Sequence, residues 1–180
     1  NVYRPDAGSY HLPFISIIND NKIIIGLSNL HFRFGHISII QYLSGSFNNH
    51  LFFNNGILIP SVLIFSFMCL YLLKNIFDEE SNLIILVSFI FLVFICFRMN
   101  RYSSFGNDAP AHFYYMYLIL ISLNYRKYIE NYYNFFNKIS LIAIFVFFNK
   151  ITMLLSLIIP LIFIKNKNFL KLFKNQIFLF

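Results

Sequence analysis

The sequence has no tryptophan, two cysteines, and only 12% charged residues in 180 positions. Each shortage excludes something. So little charge beside 58% hydrophobic residues rules out a soluble domain, because a core of this size cannot hide such long apolar runs. Cys69 and Cys96 both fall inside apolar runs, so they read as small buried hydrophobes, not as a disulfide or a metal pair. There is no glycine-rich phosphate loop, no paired-cysteine motif and no serine nucleophile elbow, which excludes a soluble nucleotide-sugar site. No signal peptide is visible. The absence of Trp beside 25 Phe reflects the coding bias of an AT-rich genome and carries no functional weight.

What remains is a polytopic helical membrane protein. The net charge of +7 would point to nucleic acid in a soluble protein. Here the cations sit in short loops, where they set membrane topology, and no nucleic-acid partner is expected. The chain opens on a polar stretch at Asn1 and stops on Ile177-Phe178-Leu179-Phe180, which reads as a fragment at both ends.

Residues 1–55 read as an extracytoplasmic loop with two amphipathic helices lying in the interface plane. One is entered by Pro13 and ended by Asn19-Asp20-Asn21; the other spans about Ser28 to Phe47. Lys22 to Gly26 connects them, and Asn48-Asn49-His50 and Asn54-Asn55-Gly56 are loops. Residues 56–180 read as a transmembrane bundle of about five helices. Its spans are Gly56–Leu73, Leu83–Phe97 and Ala109–Leu123, then two short apolar runs, Ile139–Phe148 and Ile151–Ile164, split at Asn149-Lys150. Polar loops are expected at Lys74 to Asn82, Arg98 to Asp108, Asn124 to Lys138 and Lys165 to Gln176.

The last two runs decide topology. A single helix from 139 to 164 would carry a Lys at mid-bilayer, at about 2.5–3.5 kcal/mol on insertion scales. Two short or re-entrant helices meeting at Asn149-Lys150 instead put eight of the fourteen Lys and Arg on one side. That choice brings residues 1–55, Arg98–Asp108 and Lys150 together on the opposite, outer face.

The candidate site follows from this convergence. The stretch Arg4-Pro5-Asp6-Ala7-Gly8-Ser9-Tyr10-His11-Leu12-Pro13 places an acid, a His and an Arg within eight residues. Asp6, beside Arg4, Tyr10 and His11, is the candidate base for taking a proton from an acceptor. Asp108 is a second outer-face acid, although Asp108-Ala109-Pro110 also reads as an N-cap followed by a helix start. Lys150 and Arg33 are candidate phosphate ligands; Lys150 also reads as a snorkelling topology residue and the His31-Phe32-Arg33-Phe34 run as an interfacial belt. The five His make no familiar metal pattern, since His31 and His36 do not share a helical face. Asp108 and His112 are four apart, a spacing that leaves a divalent metal between them open.

With these residues in view, the chain resembles the GT-C-type polytopic glycosyltransferases, the group that includes protein mannosyltransferases and lipid A aminoarabinose transferases. The resemblance rests on an early acid in the first outer loop, on Tyr10-His11-Leu12-Pro13, on Gly26-Leu27-Ser28-Asn29-Leu30-His31 followed by Arg33-Phe34, and on a Lys between two short apolar helices. More narrowly it is similar to a bacterial branch of membrane proteins placed in that group, and it would be the amino-terminal part lacking the first span. The resemblance implies a multi-pass protein of the bacterial inner membrane. It would move a sugar from a polyprenyl-phosphate-linked donor to a lipid-linked or cell-surface glycan acceptor. Asp6 would be the base; Lys150 and Arg33 would hold the phosphate; Arg4, Tyr10, His11, His31, Asp108 and His112 would line the site or orient the acceptor. A surface-polysaccharide polymerase and a non-enzymatic transporter or flippase are the alternatives.

Overall fold

A computed structural model describes residues 5–20, 26–30, 32–35, 38–48, 51, 53–102, 105–125 and 132–164. Among them the protein is all-helical, without strands. The amino-terminal part is a set of short helices. A π-helical turn, Ala7–His11, runs into α1 (Leu12–Asp20); α2 (Leu27–Leu30) and a 3₁₀ turn (Phe32–Gly35) follow, and then α3 (Ile39–Phe47). A further 3₁₀ segment, Phe53–Leu58, leads into the long helices α4 (Ile59–Asp78) and α5 (Asn82–Tyr102), and then α6 (Asp108–Leu123) and α7 (Tyr132–Asn149). The chain ends, as described, in a 3₁₀ segment (Ile151–Leu157) and α8 (Ile158–Ile162).

The helix limits depart from the sequence expectation in a consistent direction. Polarity stops an apolar run sooner than it stops a helix. Thus α4 continues through Lys74 to Asp78, and α5 continues through Arg98 to Tyr102, where a loop was expected. A cation in the last turn, here Arg101, suits the negative end of the helix dipole. Similarly, α7 begins at Tyr132, within an expected loop, because Phe135 is buried against Leu118 and Ile121 of α6. The stretch from Pro5 to Pro13 is helical, not a loop. Conversely, the expected helix from Ser28 to Phe47 is broken. Gly35 folds back against Ser28, where a Cβ would lie 3.3 Å from the Ser28 Cβ, and Ser38 is extended before α3 starts. Asn54-Asn55-Gly56, expected as a loop, is 3₁₀. Cys96 is exposed and Cys69 half-buried, so the expected burial of both does not occur; both are free thiols. The connector at 22–25, Asn49-His50, Arg126/Lys127 and the basic stretch from Lys165 lie outside the described residues.

Among the described residues, two helices are long and apolar enough to cross a membrane: Gly56–Asp78, with mean hydropathy 2.3, and Asn82–Tyr102, with 2.5. Only 22% and 17% of their apolar windows are buried, whereas the core helix of a soluble protein is mostly buried. Ile151–Ile162 is apolar but shorter. Met68 and Leu72 of α4, Ile84 and Ile95 of α5, and Phe113, Met116 and Leu120 of α6 form one core. Leu118 and Ile121 of α6 form a second with Phe135, Ile139 and Ala143 of α7. A third cluster, Ala7, Ile15 and Phe105, packs the amino-terminal helices onto the α5–α6 connection and onto Ile57 and Leu58.

The chain reverses after α7. Lys150 is extended (φ −153°, ψ 110°), and the following segment returns alongside α7. Ser156 Oγ donates to Ala143 O at 3.0 Å, and Tyr132 OH donates to Phe163 O. Ala143 is fully buried, and its small side chain permits this close approach. The reversal therefore sits at the same end as the α5–α6 connection and the amino-terminal helices. At the opposite end, Asn124 Nδ2 donates to Glu79 Oε1 at 3.3 Å.

Asn149 fastens that first end together. It is fully buried. Its Oδ1 accepts from Ile40 N at 3.0 Å, giving a partner to one of the donors that a helix start leaves unpaired. Its Nδ2 donates to Phe145 O at 2.9 Å, and its backbone O accepts from Asn107 Nδ2 at 3.0 Å. Replacing Asn149 by Ala strands a buried Ile40 N–H, and the expected loss is about 1–3 kcal/mol. Thermal unfolding in detergent checks this. The exposed Asn137→Ala on the same helix is expected to change stability by less than about 0.5 kcal/mol.

Candidate functional site

A cavity of about 590 Å³ opens at this end. The π-helical turn, α3, the end of α5, the start of α6 and the α7 reversal all contribute walls. Asp6 and Tyr10 are four apart on one helical stretch, so they share a face, and both line the cavity with His11. His11 is buried. The Gln41 side-chain amide is hydrogen-bonded to His11 Nδ1 at 2.5 Å. The Nε2 edge lies against Gly106, where a Cβ would come within 3.3 Å of it. Glycine here lets the α5–α6 connection close over the ring, and Phe105 meets that ring edge-on at 6.2 Å.

The opposite wall is charged. Lys150 Nζ donates to Asp108 Oδ1 at 2.5 Å. Arg101 Nε donates to Asp108 Oδ2 at 3.1 Å, and the Arg101 guanidinium donates a second bond to the same oxygen. One carboxylate thus joins the end of α5, the start of α6 and the α7 reversal. Asp108 is not the N-cap that its sequence context allows. Asn107 holds the cap position, and the Asp108 carboxylate makes cross-helix ion pairs. Asp6 is near enough for its charge to act on Arg101. The Nδ1 of His112, one turn further along α6, is 2.9 Å from Tyr102 OH. Among the described residues, no group of three or more His, Cys, Asp or Glu is placed to hold a metal ion.

A second space, an apolar groove of about 560 Å³, is lined by other residues. Leu43 and Phe47 of α3, Leu63 and Phe67 of α4, Tyr117 of α6 and Phe145 of α7 line it. The two spaces share no lining residue but draw on the same helices. Helix α3 gives Gln41 to the cavity and Leu43 to the groove, and α7 gives Phe147 and Asn149 to the cavity and Phe145 to the groove.

Of the residues singled out from the sequence, Asp6, Tyr10, His11, Asp108 and Lys150 come together on the cavity. His112 lies beside it, behind Tyr102. Arg33 belongs to the 3₁₀ turn whose Phe32 and Gly35 reach the cavity wall, and its side chain lies outside the described structure. Arg4 and His31 also lie outside the described residues. Sequence reasoning missed Arg101, Gln41 and Asn107. Arg101 had a signal, since it lies in the same polar stretch, Arg98 to Asp108, that Asp108 closes. Gln41 and Asn107 had none, because their partners lie far away in sequence.

Fold and site together define an all-helical protein with a charged cavity at one end of an apolar bundle. Residues 1–180 match the family model described as Domain of unknown function (DUF8201), and the chain belongs to that family. No curated protein and no solved structure matches it.

The ion pairs set a pH dependence. Burial pushes the Asp108 carboxyl up, but hydrogen bonds from Lys150 and Arg101, with the charges behind them, outweigh burial and hold it below its ordinary value. The folded-state pKa is therefore lower than the unfolded value of about 3.9. The stabilisation is fully present above that value and is lost as pH falls through the folded one. Asp108→Asn removes this contribution. The gap between the unfolding temperatures of wild type and Asp108→Asn is expected to be widest near neutral pH and to close on acidification below about pH 4. Paired melting curves across that range check it.

Proposed function

We propose that this protein is a polytopic membrane glycosyltransferase of GT-C type. It moves a sugar from a polyprenyl-phosphate-linked donor to a lipid-linked or cell-surface glycan acceptor at the outer face of a bacterial inner membrane. The observation that carries this reading is a cavity holding Arg101 and Lys150 beside the acids Asp6 and Asp108, with a separate apolar groove of similar size lined from the same helices. An anionic head joined to a long hydrocarbon tail matches that pair of spaces: the head meets Arg101 and Lys150, and the tail meets Leu43, Leu63 and Phe67. The exposed apolar faces of α4 and α5 suit a bilayer, with α6 and the α7–α8 reversal as shorter membrane elements.

In this reading the acceptor hydroxyl oxygen attacks the anomeric carbon of the donor sugar. The new carbon–oxygen bond forms as the bond from that carbon to the phosphate oxygen breaks. The departing phosphate keeps the electron pair, and Lys150 and Arg101 stabilise its charge. Asp6, exposed on the cavity rim, takes the acceptor's proton. Arg101 joins Lys150 in the role expected of Arg33. Tyr10 and His11 form the wall beside Asp6 and orient the acceptor.

The test supplies membranes carrying the full-length protein with a panel of labelled polyprenyl-phosphate sugars and follows label into membrane glycans. Wild type is expected to incorporate label from one donor, and Asp6→Asn to incorporate it at least about 100-fold more slowly at equal expression. No incorporation from any donor would count against the transferase. Incorporation unchanged in Asp6→Asn would remove Asp6 as the base.

A further inference from the structure

We propose that Asp108 is a built-in stand-in for the ligand's phosphate. Its carboxylate holds the positions on Arg101 and Lys150 that an entering phosphate group takes, so binding proceeds by exchange of one anion for another. This inference rests on the reading of the cavity as a phosphate site.

Three observations lead to it. The first is geometric. The two oxygens of Asp108 each meet a different cation, Lys150 at Oδ1 and Arg101 at Oδ2. Two oxygens of a phosphate group can bridge the same pair of cations in the same way. The second is access. Arg101, Asp108 and Lys150 all line the cavity, with 42%, 28% and 23% of their side chains exposed, so an entering anion reaches the carboxylate and both cations. The third is independence. The hydrogen bonds of the Asp108 carboxylate go to Arg101 and Lys150 and not to the backbone of α6, so it can turn away without breaking a bond to its own helix.

Charge makes the exchange necessary. Among the described residues that line the cavity, the charged groups are Asp6, Arg101, Asp108 and Lys150, two acids and two bases, with the His112 ring one turn beyond and Arg98 near enough for its charge to act on that ring. The formal charges of the four lining groups cancel. A phosphate anion arriving at this wall meets no net attraction while Asp108 keeps both cations. It gains them only by replacing Asp108, and Asp6 remains to neutralise Arg101 in part. The site thus discriminates by demanding a ligand that holds two cations better than a single carboxylate does, as a phosphate group can and a neutral glycan cannot. Asp108 acts here as a positioning residue that tunes affinity, not as the base.

The measurement is equilibrium binding to the full-length protein in lipid nanodiscs, with farnesyl phosphate and inorganic phosphate as the two probes. Asp108→Asn is expected to bind farnesyl phosphate on the order of tenfold more tightly than wild type, the factor released when a competing charge-assisted hydrogen-bond acceptor is removed. Asp108→Ser, which suits the first turn of a helix, is expected to behave alike, so a folding defect in one variant does not decide the result. Asp108→Glu keeps the charge and is expected to stay close to wild type. Weaker or unchanged binding in both neutral variants would overturn the exchange while leaving the cavity as a phosphate site. Binding of neither probe to any form would overturn the exchange together with the phosphate reading. Equal affinity for the two probes would remove the apolar groove from the ligand site and leave the exchange standing.

Discussion

Everything near the cavity depends on one buried amide. Asn149 is the last residue of α7 and has no exposed surface. A polar side chain in such a place costs several kcal/mol unless it is paired, and Asn149 is paired on both sides of its amide. The partner of its carbonyl is Ile40, 109 residues earlier, and the partner of its backbone oxygen is Asn107. These bonds tie α3, α6 and α7 at one end. They also fix where the chain turns, and the turn residue is Lys150. The most polar spot in the bundle and the cation on the cavity wall are thus consequences of the same constraint.

The charged wall works within that frame. Lys150 follows a fully fixed residue, Arg101 ends α5, and Asp108 starts α6. Each charge therefore sits on a different element, and the Asp108 carboxylate ties the three together. The ends of the helix dipoles favour the arrangement, with an acid at the start of α6 and a cation at the end of α5. Opposite, the amino-terminal helices bring Asp6, Tyr10 and His11 into place through Ala7 and Ile15, which pack on Phe105. The two walls meet across the α5–α6 connection, where Gly106 lets the His11 ring approach the backbone.

Much of this was legible residue by residue. The apolar runs announced α4, α5 and α6, and Pro110 marked the start of α6 within a residue or two. Asn149-Lys150 stood out because it interrupts two apolar runs. Asp6, Tyr10 and His11 were visible as a polar cluster in an outer loop, and Lys150 as a cation between two apolar runs. Helix ends were less legible, since Lys74 to Asp78 and Arg98 to Tyr102 are polar yet remain helical, and hydropathy measures solvent preference, not backbone hydrogen bonding. The role of Asp108 was misleading. Its neighbours Ala109 and Pro110 describe a cap equally well, and a cap and an ion pair leave the same local sequence.

By itself the sequence determined the helical class, the two long apolar helices and the polar groups that burial would have to satisfy. Those properties are local: they follow from hydropathy, period and the conformational preferences of Pro and Gly. Only the tertiary structure decided that Arg101 and Lys150 share one carboxylate, that Gln41 pairs with the His11 ring, and that Asn149 accepts from Ile40. In each case the partners are separated in sequence by several residues to over a hundred. A hydrogen bond or ion pair of that kind exists only where packing has already brought the two ends within about 3 Å, and no pattern along the chain encodes that distance.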